Sequence, residues 1–223
     1  MFKLITEIFK REDLLQQAYK TTIEMLKFDQ QMFEASYQSL IHNLCEVSVE
    51  KLDVYATDRK INEYQREVRR KVVAHLATSS SRDIVFGLIL VSIIIDVERI
   101  GDYTKNIQDL ACNHPHPIDY HHYNDEIKNI ETNVATRFKK LIYAFEHSDD
   151  DIARELMVGH KKINETCDRI LLELLKDNIN WIHSNEAVAI ALYVRYLKRI
   201  SAHMTNVASS IVNSFENIGF KGY

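Results

Sequence analysis

Two pairs of oxygen-bearing side chains stand one helical turn apart in this chain: Glu98 with Asp102, and Asp58 with Asn62. At i and i+4 on a helix, both members of a pair project from one face. Two carboxylates so placed repel each other by about 0.2–0.5 kcal/mol in an isolated helix, a cost that a bound cation offsets. If the two carrying helices lie antiparallel, the four side chains converge into a ligand set for a hard divalent cation or iron. The same residues also read as a solvated ion-pair face, because Asp96 and Asp102 each lie three residues from Arg99. Both readings stand at this level.

A second group with ligand chemistry is the segment CNHPHPIDYHHYN, which holds Cys112, His114, His116, His121 and His122. Imidazoles and a thiolate suit zinc or another borderline cation. The segment has no C-x-x-C or H-x-x-x-H frame, and Pro115 and Pro117 constrain it. A polar, exposed, His-rich linker is the alternative. The N-terminal segment groups Phe2, Ile5, Ile8 and Phe9 near one side with Lys3, Lys10 and Arg11 nearby. It reads as packing on its own domain, on a second copy, on a partner or on a membrane surface.

Enzyme signatures are missing. There is no GxxxxGK phosphate loop and no GxGxxG turn. A ferritin-like di-iron site needs Glu three residues before a His, and none of the ten histidines has one. The net charge of −4 gives no basic footprint for nucleic acid. The three cysteines form no CxxC pair, so a reduced, cytoplasmic setting is expected.

The elements that must position these residues are helices. The chain has 223 residues but only five glycines and two prolines, and none of these precedes Gly87. That excludes architectures with many tight turns. Apolar residues from Leu15 to Leu44 recur at three- and four-residue steps, which predicts one long helix over about 12–47. A second is expected over about 48–78, and a third over about 82–112, capped by one of Ser79, Ser80 and Ser81. The apolar run Ile84–Ile95 is interrupted by Gly87 and Ser92 and is too short for a bilayer span, so it reads as a helix buried in a bundle. Beyond the Pro-containing segment, helices are expected over about 124–147, from Ser148 to near Asn178, and from Ser184 to about Asn217.

The halves repeat each other. DVERIGDYTKNI (96–107) aligns with YLKRISAHMTNV (196–207), and TDRKINEYQREV (57–68) with GHKKINETCDRI (159–170). Arg99 and Arg199, Gly101 and Ser201, and Asn106 and Asn206 correspond. Those positions read as bundle-building chemistry: a small residue for close helix approach and an Asn for a structural hydrogen bond in each bundle. The acids are confined to one copy, since Glu98 and Asp102 face Lys198 and Ala202 while Asp58 and Asn62 face His160 and Asn164. The expected fold is all-α: two tandem antiparallel three-helix bundles at 1–113 and 124–223, joined by a linker at 114–123, with an internal pseudo-two-fold repeat.

With both repeats in view, the chain resembles the PhoU family of phosphate-uptake regulators. The residues that carry this are Glu98-Arg99-Ile100-Gly101-Asp102 followed by Asn106-Ile107, with Asp58-x-Lys60-Ile61-Asn62 on the preceding helix. The resemblance covers nearly the whole chain. It implies a non-enzymatic cytoplasmic regulator that acts by contact with the ATPase or permease of a phosphate transporter, with a phosphate-sensing histidine kinase, or with both. Peripheral membrane association would run through those partners, and a homodimer is compatible with it. It also implies a metal, divalent or iron, on the first bundle, with Glu98, Asp102, Asp58 and Asn62 as the matching positions. Two other readings share these features: an accessory protein of a sodium–phosphate or low-affinity transporter, and a metal-storage or metal-dependent helical bundle.

Overall fold

The computed structural model describes residues 13–42, 52–78, 81–176 and 182–220. They form six long helices: α1 (Leu14–His42), α2 (Val54–Thr78), α3 (Ile84–Asn113), α4 (Asn124–His147), α5 (Asp150–Leu175) and α6 (Ser184–Val212). Helices α1, α2 and α3 pack on one another as one three-helix bundle, and α4, α5 and α6 as a second. The bundles dock through α3 against α6 and α1 against α4. The N-terminal apolar segment and the serines at 79 and 80 lie outside the described residues.

Aspartates set several helix starts. The Asp13 carboxylate accepts from the backbone N–H of Leu15 and Gln16, that of Asp53 from Ala56, and that of Asp149 from Ile152, each filling donors left open in a first turn. Thus α2 begins after Asp53, later than the expected start near 48. No side-chain hydrogen bond caps α3; the residue before it, Asp83, binds His75 Nε2 at 2.8 Å instead. At the other end, α6 stops at Val212 because Asn213 turns extended and its amide donates to the carbonyls of Asn217 and Phe220.

The expected α1 stripe is the buried one: Leu15, Ala18, Met25, Leu26 and Met32 have no exposed surface. The apolar run in α3 is less enclosed than its composition predicts. Leu90, Ile93, Ile94 and Val97 are fully buried, yet Ile84, Val85, Leu88 and Ile95 are 40–51% exposed. No helix among the described residues is long and apolar enough to cross a membrane.

The seam between the bundles is both apolar and polar. Phe33 packs on Phe138 with centroids 5.3 Å apart, and Tyr19 stacks on Phe145 while its hydroxyl donates to the Phe145 carbonyl. Where α3 crosses α6, Asp96 accepts from His203 Nδ1 at 2.7 Å and from Asn206 Nδ2 at 2.9 Å, and Tyr103 stacks on the His203 ring. The Asn206 bond therefore joins the two bundles, whereas the repeat alone suggested a bond inside one.

Candidate functional site

Three helices of the first bundle bring carboxylates to one place. Helix α3 carries Glu98 and Asp102, α2 carries Asp58, and α1 adds Asp29. Asp29 is fully buried, and neither of its oxygens has a hydrogen-bond partner. Burial raises its carboxyl well above the ordinary range, and the charges of Asp58, Glu98 and Asp102 push it further. The Glu98 carboxyl is also raised, first by burial and then by Asp102.

A lysine holds the cluster together. Lys105 Nζ donates to both oxygens of Asp58 at 3.2 and 3.1 Å and to Asp102 Oδ1 at 3.1 Å. Burial acts to lower its ammonium pKa, but the bonds and charges of Asp58 and Asp102 outweigh that and leave it raised. Arg99 Nη1 reaches Asp102 Oδ2 at 3.3 Å from a half-exposed position. The structure thus joins Asp58, Glu98 and Asp102, while the Asn62 amide turns aside and donates to the backbone carbonyl of Asp58 at 3.1 Å. Gly101 lets this happen: a Cβ there would stand 2.9 Å from Asp29 Oδ1 and 3.3 Å from Ile61 Cδ1. The slot serves close helix approach and borders the acids as well.

Asp29 was missed in the sequence, although its signal was there. It occupies a stripe position, four residues after Met25 and three before Met32, where an apolar residue is expected. Lys105 was missed because only the partner helix gives it meaning.

The matching place in the second bundle is inverted in charge. Arg137 of α4 is buried, and its guanidinium donates to the Ser201 carbonyl at 3.4 Å and to Thr205 Oγ1 at 2.8 Å. Ser201 is the partner of Gly101 in the repeat, so Arg137 stands where the first bundle has Asp29. Burial lowers its pKa to about 10. His160 Nδ1 lies 3.0 Å from Ser201 Oγ, and Lys198 pairs with Asp168. Among the described residues, the carboxylate cluster of the first bundle has no counterpart there.

The His-rich segment divides. His114 and His116 come together with Glu186 in the first turn of α6, their ligand atoms all within 4.8 Å. His121 pairs with Asp119, and the His122 ring packs on Tyr123. Cys112 is disulfide-bonded, and the buried Cys167 is free. The expectation of fully reduced thiols is not met at Cys112.

Comparison with known proteins bears on the same architecture. The sequence profile described as the PhoU domain matches twice, over residues 22–111 and 127–211. A phosphate-specific transport system accessory protein PhoU homolog from Synechocystis is 20% identical over 207 residues, covering 90% of this chain and 88% of the relative. The crystal structure of PhoU from Pseudomonas aeruginosa superposes with a TM-score of 0.79 at 20% identity, covering 89% of this chain and 95% of that one. The phosphate transport system regulatory protein PhoU from Streptococcus pneumoniae gives a TM-score of 0.72 at 15% identity, with coverage of 94% and 95%. At those identities the structures speak for the fold. Because the profile spans most of the chain, one match on each bundle, the chain belongs to the PhoU family.

Proposed function

We propose that this protein restrains phosphate uptake and phosphate-responsive signalling by binding other proteins, without catalysing a reaction. The observation that carries the reading is the PhoU profile on both bundles. The Synechocystis relative's description as an accessory protein of phosphate-specific transport agrees with it. The outer surface offers contact chemistry: α3 exposes Ile84, Val85, Leu88 and Ile95, and α6 exposes Val188 and Leu192. Because α3 and α6 run antiparallel, with Asp96 meeting Asn206 and His114 meeting Glu186, these residues lie toward opposite ends of that seam, and each group suits contact with a protein partner. The partners are the ATPase or permease of a phosphate transporter, a phosphate-sensing histidine kinase, or both. The protein then works in the cytoplasm and reaches the membrane through them.

The acidic face of the first bundle offers the oxygen chemistry of a hard cation, although among the described residues its carboxylates do not close on one point as His114, His116 and Glu186 do. Asp29 offers two buried oxygens without a donor, and Asp58, Glu98 and Asp102 surround it. Drawn together, these four carboxylates would hold a divalent cation or iron, which would supply positive charge and order the face that partners meet. Lys105 supplies that charge in its absence.

Deleting the gene tests the regulatory reading. Phosphate uptake and alkaline phosphatase should both rise in high phosphate. Wild-type protein should restore control, and a well-folded Leu88→Glu/Val188→Glu variant should not. Unchanged uptake and phosphatase at high and low phosphate would sink the proposal.

A further inference from the structure

A buried carboxylate with too few donors marks the junction of the two bundles. Glu186 is 4% exposed, and its Oε2 has no hydrogen-bond partner. Among the described residues its ion-pair partners are two imidazoles, His114 Nε2 at 3.7 Å and His116 Nδ1 at 3.4 Å from Oε1, with no Lys or Arg. A carboxylate this deep normally has donors on both oxygens or a cation beside it.

The state of His114 follows from its other nitrogen. Nδ1 lies 2.6 Å from the His116 carbonyl oxygen. A carbonyl only accepts, so Nδ1 carries the hydrogen, and in the neutral ring Nε2 keeps its lone pair. That lone pair points among buried surroundings and has no hydrogen-bond partner either. Two acceptors, Nε2 and the Glu186 carboxylate, therefore face each other at a distance too long for a hydrogen bond. The backbone bond at Nδ1 is the outer-sphere arrangement that orients a metal-bound imidazole.

The spacing matches a specific ion. Zinc–nitrogen and zinc–oxygen bonds of about 2.0–2.2 Å put neighbouring donors of a tetrahedral site about 3.4 Å apart. Two of the three edges here measure 3.4 and 3.7 Å, and the third falls within 4.8 Å. His116 Nδ1 also lies 3.3 Å from the Pro117 carbonyl oxygen, so ligation requires this mostly exposed linker ring to turn away from that carbonyl, a rotation that also closes the third edge. The ring's exposure leaves the fourth position open to water.

We propose that His114, His116 and Glu186 form a zinc-class site, with two imidazoles and one carboxylate as ligands. The site is separate from the acidic face, which offers oxygen ligands only. Its effect is to tie the chain leaving α3 to the first turn of α6, where the two bundles are joined. It does not depend on the regulatory reading.

The test is zinc titration of the chelator-stripped full chain, read by competition with a chromophoric chelator and by thermal melts. One ion per chain should bind at this site and raise the melting temperature, and Co²⁺ in its place should give the visible absorption of a tetrahedral centre. His116→Ala and Glu186→Gln should each weaken zinc by at least about 10–100-fold, the loss seen when even an outer-shell partner goes. His122→Ala, which removes a linker imidazole outside the site, should leave zinc affinity unchanged. Glu186 is buried, so its variant could unfold; His116 is exposed, and His116→Ala remains decisive. Equal zinc affinity in wild type and His116→Ala, no zinc binding by wild type, or an equal loss on His122→Ala would each overturn the site.

Discussion

Asp29 is surrounded by three carboxylates, and its oxygens accept from no donor. A buried polar group without a partner costs about 1–3 kcal/mol, and this one also faces like charge. Asn has the same shape without the charge. Asp29→Asn should therefore raise the stability of metal-free protein by about 1–3 kcal/mol in urea unfolding. If the acidic face binds a divalent cation, the stabilisation that Mn²⁺ or Mg²⁺ gives the wild type should shrink in the variant. A variant less stable than wild type would show that the Asp29 carboxyl serves the fold itself.

At the scale of helices, Gly101 sets how closely α3 meets α1 and α2. Ala in place of Gly gains about 1 kcal/mol of helix propensity. The added methyl would meet Asp29 Oδ1 at 2.9 Å and Ile61 Cδ1 at 3.3 Å, both on buried residues. Overpacking of this kind costs about 1–3 kcal/mol, so Gly101→Ala should destabilise or break even, and should displace Asp29. Calorimetry gives the stability, and the change in divalent-cation affinity reports the displacement. Tighter cation binding with a higher melting temperature would mean that α1 and α3 can separate at no cost. The second bundle shows what fills the slot when the acid is gone: Ser201 bonded to His160, and Arg137 over its carbonyl.

Across the whole molecule, the bundles are held as one body by a seam whose polar centre is Asp96. It accepts from His203 and Asn206, so Asp96→Ala leaves two half-buried donors of α6 without their acceptor. The loss should be about 1–3 kcal/mol, expressed chiefly as weaker docking of the bundles. Urea unfolding followed by far-ultraviolet circular dichroism should show a lower midpoint and a broader transition than wild type. A wild-type transition would place the coupling in the aromatic contacts of α1 with α4 instead.

The sequence by itself determined the helices and the repeat, because a 3.6-residue apolar period, scarce Gly and Pro, and a long internal match are local or one-dimensional signals. It determined Glu98 and Asp102 as neighbours, since i and i+4 always share a face. It also held the hint of Asp29, an acid in an apolar stripe. What crosses between helices was decided only by tertiary structure. Helix rotation and axial offset brought Asp29 and Lys105 into the acidic face and turned Asn62 onto its own backbone. They placed Asn206 against the other bundle and carried Glu186, 70 residues from His116 in the chain, to the two imidazoles. Periodicity fixes which side of a helix is apolar, but the packing of side chains from different helices fixes which polar groups meet.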